Sequence, residues 1–280
     1  MNFNVTTGNV SVNNASIFYK TYGEGKPILF MITGGTGDAD SYENIIPFLI
    51  GKYTVVTYDR RGYARSPIAS ISDQEIINIE TQTDDVRALL RAITKDPVCV
   101  FGSSIGAVIA LDLAARYPSL VKKVIAHEPP LVNQLPESER AGKVPEIMQN
   151  ETPFEAMRRF TETFGLVPSN LVGQKFMHVS KDAKKRKTAN TKFFLEHESK
   201  GVDRYKLNTE KIKGVRSKIV FIAGKESKGN FLYELAIQTA QDIGAPFLEV
   251  LGHHVGYGQY PEEFSLELIE ILESRQTHQQ

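Results

Sequence analysis

The fold of this chain is decided by Val98-Cys99-Val100-Phe101-Gly102-Ser103-Ser104-Ile105-Gly106, an apolar run that leads into the pattern Gly-x-Ser-x-Gly. The apolar run predicts a buried strand, and the Ala-, Ile- and Leu-rich segment from Ile105 to Arg116 predicts a buried helix. A tight turn bracketed by glycines between a strand and a helix holds its serine in a strained conformation, with the hydroxyl exposed above the sheet. We therefore predict that Ser104 is a nucleophile.

This pattern has two alternative interpretations. A turn rich in glycine and serine between a strand and a helix can be purely structural. The neighbouring Ser103 also carries a hydroxyl, but it would need small residues two positions before and after it, where the chain has Phe101 and Ile105. The positive end of the following helix dipole points at the turn, where it would stabilise a developing oxyanion. Together these features favour Ser104.

Strand and helix patterns alternate along most of the remaining chain. Val10–Val12 and Ser16–Thr21 alternate with period two and predict a hairpin. Further strands are predicted at Ile28–Ile32, Thr54–Tyr58, Val98–Phe101, Lys122–Ala126, Lys218–Ile222 and Phe247–Leu251. Further helices are predicted from the capping box Ser72-Asp73-Gln74-Glu75 to about Ile93, at Phe231–Ile243 and after Pro261. The predicted fold class is α/β, with a mainly parallel, twisted sheet and helices on both faces.

The strand pattern is interrupted between residues 129 and 214. Thr152-Pro153-Phe154-Glu155 predicts a helix start, with Pro at the first helical position and Glu completing a capping box. We predict a core of residues 1–128 and 215–280, with residues 129–214 inserted as a helical cap after strand six. The run Lys181–Lys192 carries six basic residues against one Asp, which suits a solvated helix face better than a site for anionic substrates.

Composition excludes several classes of protein. The 280 residues include 33 basic and 33 acidic side chains, so no strong field would hold nucleic acid or an anionic membrane. The single cysteine, Cys99, excludes an internal disulfide or a multi-cysteine metal site. No secretory signal and no membrane-spanning apolar stretch is visible. We predict a cytoplasmic protein without cofactor or metal, and its sequence is compatible with a homodimer.

A serine hydroxyl needs a base to become a good nucleophile. The chain has six histidines, and two of them stand in Leu251-Gly252-His253-His254-Val255-Gly256, after the last predicted strand. Adjacent side chains in an extended segment point in opposite directions, so one of the two can face Ser104. The pattern Gly-x-His-x-Gly favours His254, with His253 as the alternative.

The base needs a carboxylate to orient it and to stabilise its charged form. A common location is three residues beyond the glycine that ends strand seven, but that position holds Ser227. Glu226 stands one residue earlier. Glu128 directly follows strand six and precedes two prolines that fix the turn. We predict Glu128 as the acid, with Glu226 as the alternative; Glu128 as a solvated loop residue is the rival interpretation.

An oxyanion hole requires backbone N–H groups aimed at the substrate carbonyl oxygen. One is expected from Ile105, which follows the nucleophile. The second is expected from Thr33-Gly34-Gly35-Thr36-Gly37, a loop after the third strand whose glycines allow a close approach. Gly35 is the predicted donor and Thr36 the alternative. The loop matches neither of the glycine patterns that bind phosphate.

Taken together, these motifs resemble the α/β-hydrolase superfamily. The resemblance covers Ile28 to Glu128 and Ser217 to Glu273, and includes the turn Tyr58-Asp59-Arg60-Arg61-Gly62-Tyr63-Ala64-Arg65-Ser66, which we interpret as a structural Asp–Arg network without a catalytic role. It implies that the insertion after strand six is a mobile helical cap that shapes the acyl or alcohol pocket. The position of this acid, at the end of strand six, is similar to that of the triad acid in some haloalkane dehalogenases. Those enzymes and the epoxide hydrolases use an aspartate nucleophile, so Ser104 argues against both.

The predicted function is that of a serine hydrolase, which cleaves a small-molecule carboxylic ester or lactone through an acyl-enzyme on Ser104, with His254 as base. One alternative keeps the site and changes the reaction to C–C cleavage, amide hydrolysis or perhydrolysis. Another is a ligand receptor on the same fold that scarcely turns over.

Overall fold

The computed structural model describes residues 3–72, 76–140, 151–163, 165–166 and 181–274. Within these ranges, one eight-stranded sheet forms the centre of the molecule. Its strands are β1 (Val5–Val12), β2 (Ala15–Tyr22), β3 (Ile28–Ile32), β4 (Thr54–Tyr58), β5 (Val98–Ser103), β6 (Val121–His127), β7 (Ile219–Gly224) and β8 (Phe247–Val250). The α-helices of these ranges are α1 (Ile46–Leu49), α2 (Ile79–Ile93), α3 (Ile105–Arg116), α4 (Pro153–Thr163), α5 (Lys181–Phe193), α6 (Ser199–Arg204), α7 (Thr209–Gly214), α8 (Phe231–Ile243), α9 (Gly256–Gln259) and α10 (Pro261–Glu273).

The sheet has the strand order β1-β2-β4-β3-β5-β6-β7-β8. The pairs β1–β2 and β2–β4 are antiparallel, and the remaining neighbours are parallel. The register pairs Ser103 with His127, His127 with Ile222, and Gly224 with Val250. The carboxyl ends of β5 to β8 therefore lie side by side at one edge, where the loops with the predicted catalytic residues begin.

Alternate residues of the central strands enter two apolar cores, one on each face of the sheet. In β3, Phe30 and Ile32 belong to a core shared with α2 and α3. Leu29 and Met31 belong to a second core, shared with α1 and α10. All four side chains are fully buried. Helices therefore cover both faces, and the predicted fold class is confirmed.

Helix α2 begins later than the sequence predicts. It starts at Ile79, and the side chain of Asn78 caps it by accepting a backbone N–H at 2.7 Å. The predicted start at the capping box of residues 72–75 is wrong, because residues 76–78 are not helical; residues 73–75 lie outside the described residues. The N–H of Ile77 donates to the carbonyl of His197 at 2.7 Å. This bond to a distant segment holds residue 77 outside the helix.

The residues described between β6 and β7 form α4 to α7 and a π-helical turn, Phe194–Glu198. We call residues 129–214 the insertion; their division from the core as a separate cap stays a prediction. The predicted capping box of α4 is confirmed. The N–H of Thr152 donates to the carboxylate of Glu155 at 2.8 Å, and the N–H of Glu155 donates to the Thr152 hydroxyl at 3.3 Å.

The basic helix α5 is tied to the core by Arg186. Its guanidinium forms ion pairs with Asp38 at 2.9 Å and Asp40 at 2.6 Å, both in the loop after β3. Lys184, Lys185 and most other described side chains of α5 are exposed or partly exposed. The solvated-face interpretation of this helix is therefore corrected at Arg186, which joins the insertion to the core.

Candidate active site

Ser104 occupies the turn between β5 and α3. Its backbone has φ 56° and ψ −125°, a combination that residues other than glycine rarely adopt. Its N–H donates to the carbonyl of His127 at 2.8 Å, which ties the turn to the end of β6. A Cβ on Gly102 would lie 2.3 Å from the carbonyl oxygen of Gly106, and one on Gly106 would lie 2.2 Å from that of Ile32. The turn therefore requires both glycines.

A hydrogen bond joins the carboxylate of Glu128 to the imidazole of His254. Oε2 of Glu128 lies 2.6 Å from Nδ1 of His254. The other oxygen, Oε1, accepts the N–H of Gly224 at 3.0 Å, so both carboxylate oxygens are held. Glu128 is 1% exposed and has φ 45°, a left-handed conformation that is uncommon for glutamate. This pair connects the loop after β6 to the loop after β8.

Burial and polar partners act in opposite directions on the pKa of Glu128. Burial alone would raise it, because the carboxylate loses its hydration. The hydrogen bond and charge of His254 and the N–H of Gly224 outweigh burial, and the pKa of Glu128 is lowered to about 2. The carboxylate is therefore ionised at neutral pH, when it can orient and stabilise a protonated imidazole.

The alternative acid, Glu226, does not hydrogen-bond His254. Its Oε2 accepts a hydrogen bond from Gln259 at 3.2 Å. Ser227, at the position where a carboxylate is common, is buried, and its hydroxyl has no hydrogen-bond partner among the described residues. Of the two glutamates considered from the sequence, the structure brings Glu128 to His254.

The neighbours of the predicted base and nucleophile are buried. His253 is fully buried, and its Nδ1 accepts the N–H of Val255 at 3.3 Å. Ser103 is 1% exposed, and its Oγ lies 3.2 Å from Nδ1 of His127. The side chain of His254, by contrast, is 11% exposed. In each adjacent pair, one member is therefore buried and the other is more accessible.

His127 lies in the candidate site, although the sequence did not single it out. Its ring stacks on that of His254 with centroids 6.0 Å apart. Its Nε2 lies 3.9 Å from Oε1 of Glu128 and has no hydrogen-bond partner within the described ranges. Burial lowers the pKa of His127 to about 4, so the ring is neutral at pH 7. The one available signal was its position immediately before Glu128, at the end of a buried strand.

The loop after β3 lies against the turn at Ser104, which we call the elbow. A Cβ on Gly34 would lie 3.1 Å from Cβ of Ser104, and one on Gly35 would lie 3.1 Å from the ring of Phe194. In the part of the chain that the structure describes, neither the N–H of Gly35 nor that of Ile105 donates a hydrogen bond. Two backbone donors beside the elbow are thus unsatisfied, as an oxyanion hole requires.

The comparisons with known proteins identify the family of this chain. The model of the α/β-hydrolase-fold family matches residues 27–217. The chain belongs to this family. The α/β hydrolase is 36% identical over 280 residues, 98% of each chain, to the "Uncharacterized hydrolase YraK" of Bacillus subtilis (strain 168).

Two solved structures resemble this α/β hydrolase along almost the whole chain. The enol-lactonase from Burkholderia xenovorans LB400 has a TM-score of 0.70 at 16% identity, covering 95% of this chain and 100% of that one. Naproxen esterase from Bacillus subtilis has a TM-score of 0.68 at 14% identity, covering 96% and 92%. These likenesses show the fold. Family membership and the full-length relative support hydrolase activity.

In the described part of this α/β hydrolase, no three side chains of His, Cys, Asp or Glu are grouped so that they would hold a metal ion. Among the helices whose residues are described, none is long and apolar enough to cross a bilayer.

Proposed function

We propose that this α/β hydrolase is a serine hydrolase that cleaves a carboxylic ester or lactone. The observation that carries the proposal is the buried Glu128–His254 hydrogen bond of 2.6 Å, at the sheet edge where Ser104 is held with φ 56°. A buried carboxylate, an imidazole and a strained serine are the three parts of a nucleophilic triad.

In the proposed reaction, Oγ of Ser104 attacks the carbonyl carbon of the substrate, and its proton passes to Nε2 of His254. The carbonyl oxygen becomes an oxyanion that accepts hydrogen bonds from the N–H groups of Gly35 and Ile105. When the tetrahedral intermediate collapses, the bond to the leaving alcohol breaks and His254 returns the proton to that alcohol. Water then attacks the acyl-enzyme by the same steps and releases the acid.

Glu128 has a supporting role in this scheme. Its Oε2 accepts a hydrogen bond from Nδ1–H of His254, which fixes the ring in the tautomer with a free Nε2. Because the lowered pKa keeps Glu128 ionised, its charge stabilises the imidazolium that forms when Ser104 loses its proton. The neutral ring of His127 stacked on His254 adds no competing positive charge at neutral pH.

We further propose that the insertion acts as a helical cap on the core of residues 1–128 and 215–280. Phe194 of the insertion lies against Gly35, next to the proposed oxyanion hole. The ring of Phe194 would therefore contact the substrate near its reacting carbonyl group. The ester or lactone class is supported by this site and by the fold shared with an enol-lactonase and an esterase.

Turnover of p-nitrophenyl butyrate and of a simple lactone tests the proposal, together with labelling by a fluorophosphonate. Ser104→Ala is expected to abolish labelling and to reduce kcat by about 10⁴-fold or more, because the nucleophile is removed. Ser103→Ala is the matched control, a neighbouring serine whose hydroxyl is buried on His127; it is expected to retain labelling.

Labelling that survives in Ser104→Ala, or wild-type protein that turns over neither substrate, would contradict the proposal. Activity on amides, C–C bonds or peroxide-dependent substrates with the same dependence on Ser104 would instead change the substrate class and keep the nucleophile.

A further inference from the structure

A buried polar cluster lies beside the proposed oxyanion hole and has no role in the reaction described above. We call it the Arg60 cluster; it consists of Arg60, Tyr63, Gln82 and Glu198. All four residues are at most 2% exposed. Glu198 ends the π-helical turn of the insertion, whereas the other three belong to the core. Burying a charge is costly unless it is paired, so a buried ion pair at this boundary calls for a physical explanation.

One terminal nitrogen of the Arg60 guanidinium binds the insertion, and the other terminal nitrogen binds the Gly34–Gly35 loop after β3. Nη1 forms an ion pair with Oε1 of Glu198 and donates to Oε1 of Gln82 at 2.8 Å. Nη2 donates to the carbonyl oxygens of Gly34 at 2.9 Å and Gly35 at 3.2 Å. The two ends of one rigid, planar group therefore bridge two parts of the molecule.

The bonds to these two carbonyls determine where the next two N–H groups point. In a trans peptide, the C=O and N–H are coplanar and point in opposite directions. The carbonyl of Gly34 shares its peptide with the N–H of Gly35, the proposed oxyanion donor. The carbonyl of Gly35 shares its peptide with the N–H of Thr36. By holding both oxygens on its own side, Arg60 directs both N–H groups away from itself.

The carboxylate of Glu198 holds Arg60 in this orientation. Its Oε1 also accepts a hydrogen bond from Nε2 of Gln82 at 2.8 Å, and its Oε2 accepts a hydrogen bond from the hydroxyl of Tyr63. The ring of Tyr63 lies under the guanidinium, with Cζ of Arg60 4.3 Å from its centroid. Phe194, the first residue of the same π-helical turn, lies against Gly35. One turn of the insertion thus contacts the loop directly and also through Arg60.

We propose that Arg60 is a positioning residue of the oxyanion hole and that Glu198 couples this hole to the seating of the insertion. The inference rests on the proposed function, because it takes Gly35 as the oxyanion donor. Arg60 does not touch the reacting atoms; it acts through the Gly34–Gly35 peptide. Loss of the hydrogen bonds from Arg60 to the carbonyls of Gly34 and Gly35 would leave substrate binding unchanged and make the transition state less stable.

The neighbouring Arg61 offers a matched control. It is also buried, at 6% exposed, and its guanidinium binds Asp85 in a bidentate pair with both distances 2.5 Å. Its other bond is to the carbonyl of Asn13, and it makes no hydrogen bond to the glycine loop in the described residues. A lysine keeps the charge but is a single point donor, which cannot reproduce a fork. Arg61→Lys therefore tests the cost of breaking a buried Arg–carboxylate pair alone.

The first experiment compares Arg60→Lys with Arg61→Lys in ester turnover. We expect kcat of Arg60→Lys to fall by about 10- to 100-fold with KM within about twofold of wild type, because misdirecting a donor costs less than deleting it. The Ki of a trifluoromethyl ketone, whose adduct with Ser104 carries the oxyanion, should rise by the same factor. Arg61→Lys should keep kcat and Ki within about threefold of wild type, whatever its loss of thermal stability. Equal effects in both variants, or a loss confined to KM, would overturn the proposal.

A second experiment is independent of turnover. In ¹H–¹⁵N spectra, Arg60→Lys should shift the Gly35 and Thr36 amide resonances, and Arg61→Lys should leave both in place. If Arg60→Lys does not fold, Glu198→Gln takes its place, since it keeps the side-chain volume and removes the charge that holds Arg60; the same two resonances should shift. Unchanged resonances would overturn the proposal. Wild-type protein without esterase activity would contradict the proposed function, and the spectra would then still decide whether Arg60 positions the loop.

Discussion

The negative charge of Glu128 is the residue-scale feature on which the proposed base depends. Gln at this position keeps the size of the side chain but removes the charge beside His254, and its amide can present an N–H where Nδ1 needs an acceptor. We expect Glu128→Gln to lower kcat for p-nitrophenyl butyrate by about 10⁴-fold, the loss that is typical when a triad carboxylate becomes an amide. Glu226→Gln should stay within about threefold, because Glu226 binds Gln259 instead. Similar losses in the two variants would place the acid elsewhere.

The candidate site was predictable at residues whose constraints are local in sequence. Ser104 is marked by glycines two positions away on each side, where a Cβ would meet backbone at 2.2–2.3 Å. Glu128 and Glu226 both follow strands at the same edge, so the sequence alone left the choice open. Arg60 and Glu198 stand 138 residues apart. Their pairing depends on how the insertion packs, and no local pattern predicts it.

At the scale of elements, hydrophobic runs predicted the strands and helices of the core to within about two residues for most elements. β3, β4, α3 and α8 have the predicted bounds, because each is a buried run with a clear start and end. The predicted start of α2 was wrong because a hydrogen bond from Ile77 to the distant carbonyl of His197 overrides the local capping signal. Local sequence thus predicts elements whose ends are set locally, and fails where a tertiary contact sets the end.

The elbow between β5 and α3 makes a testable demand on its second glycine. A Cβ on Gly106 would lie 2.2 Å from the carbonyl oxygen of Ile32, a backbone atom of β3 that cannot move freely. We expect Gly106→Ala to lower the free energy of unfolding by about 1–3 kcal/mol, the usual cost of overpacking, in urea titrations followed by circular dichroism. Gly214→Ala is the matched control: beyond its chain neighbours and the backbone of its own helix, no atom of the described residues lies within 4 Å of its Cβ position, so we expect no loss and a gain of up to about 1 kcal/mol. Equal stability of Gly106→Ala and wild type would show that the elbow can relax.

At the scale of the whole molecule, polar contacts join the insertion to the core around the candidate site. Arg186 pairs with Asp38 and Asp40, and Glu198 pairs with Arg60. The first of these contacts is partly exposed and contributes little to stability on its own. The second contact is buried, so removing one of its partners would strongly lower the free energy of unfolding. The insertion is therefore expected to be held at the Arg60 cluster more firmly than along α5.

The buried site also sets how the whole molecule responds to acid. His127 has its pKa lowered to about 4 by burial, whereas an unfolded chain would protonate it near 6.5. Between these values the unfolded state binds one more proton, so the free energy of unfolding falls as pH decreases from 6.5 to 4. This loss is on the order of 3 kcal/mol, a substantial part of a typical total of about 5–15 kcal/mol. The stabilisation from Glu128, whose folded pKa is about 2, is present above about pH 4.5 and is lost only below it.

Urea titrations at pH 7.5, 6.5 and 5.5 measure the contribution of the buried histidines without that of Glu128, because Glu128 is ionised in both the folded and the unfolded state over this range. The burial of His253 lowers its pKa in the same direction, so wild type is expected to lose stability through both rings. His127→Asn keeps a polar group near Ser103 Oγ but cannot bind a proton. Its unfolding free energy should therefore fall less steeply between pH 6.5 and 5.5, by up to about 1.4 kcal/mol per pH unit. If the unfolding free energy of the two proteins changes with pH at the same slope, His127 is protonated in the folded state as readily as in the unfolded state. The proposal that a neutral His127 ring stacks on His254 would then be wrong.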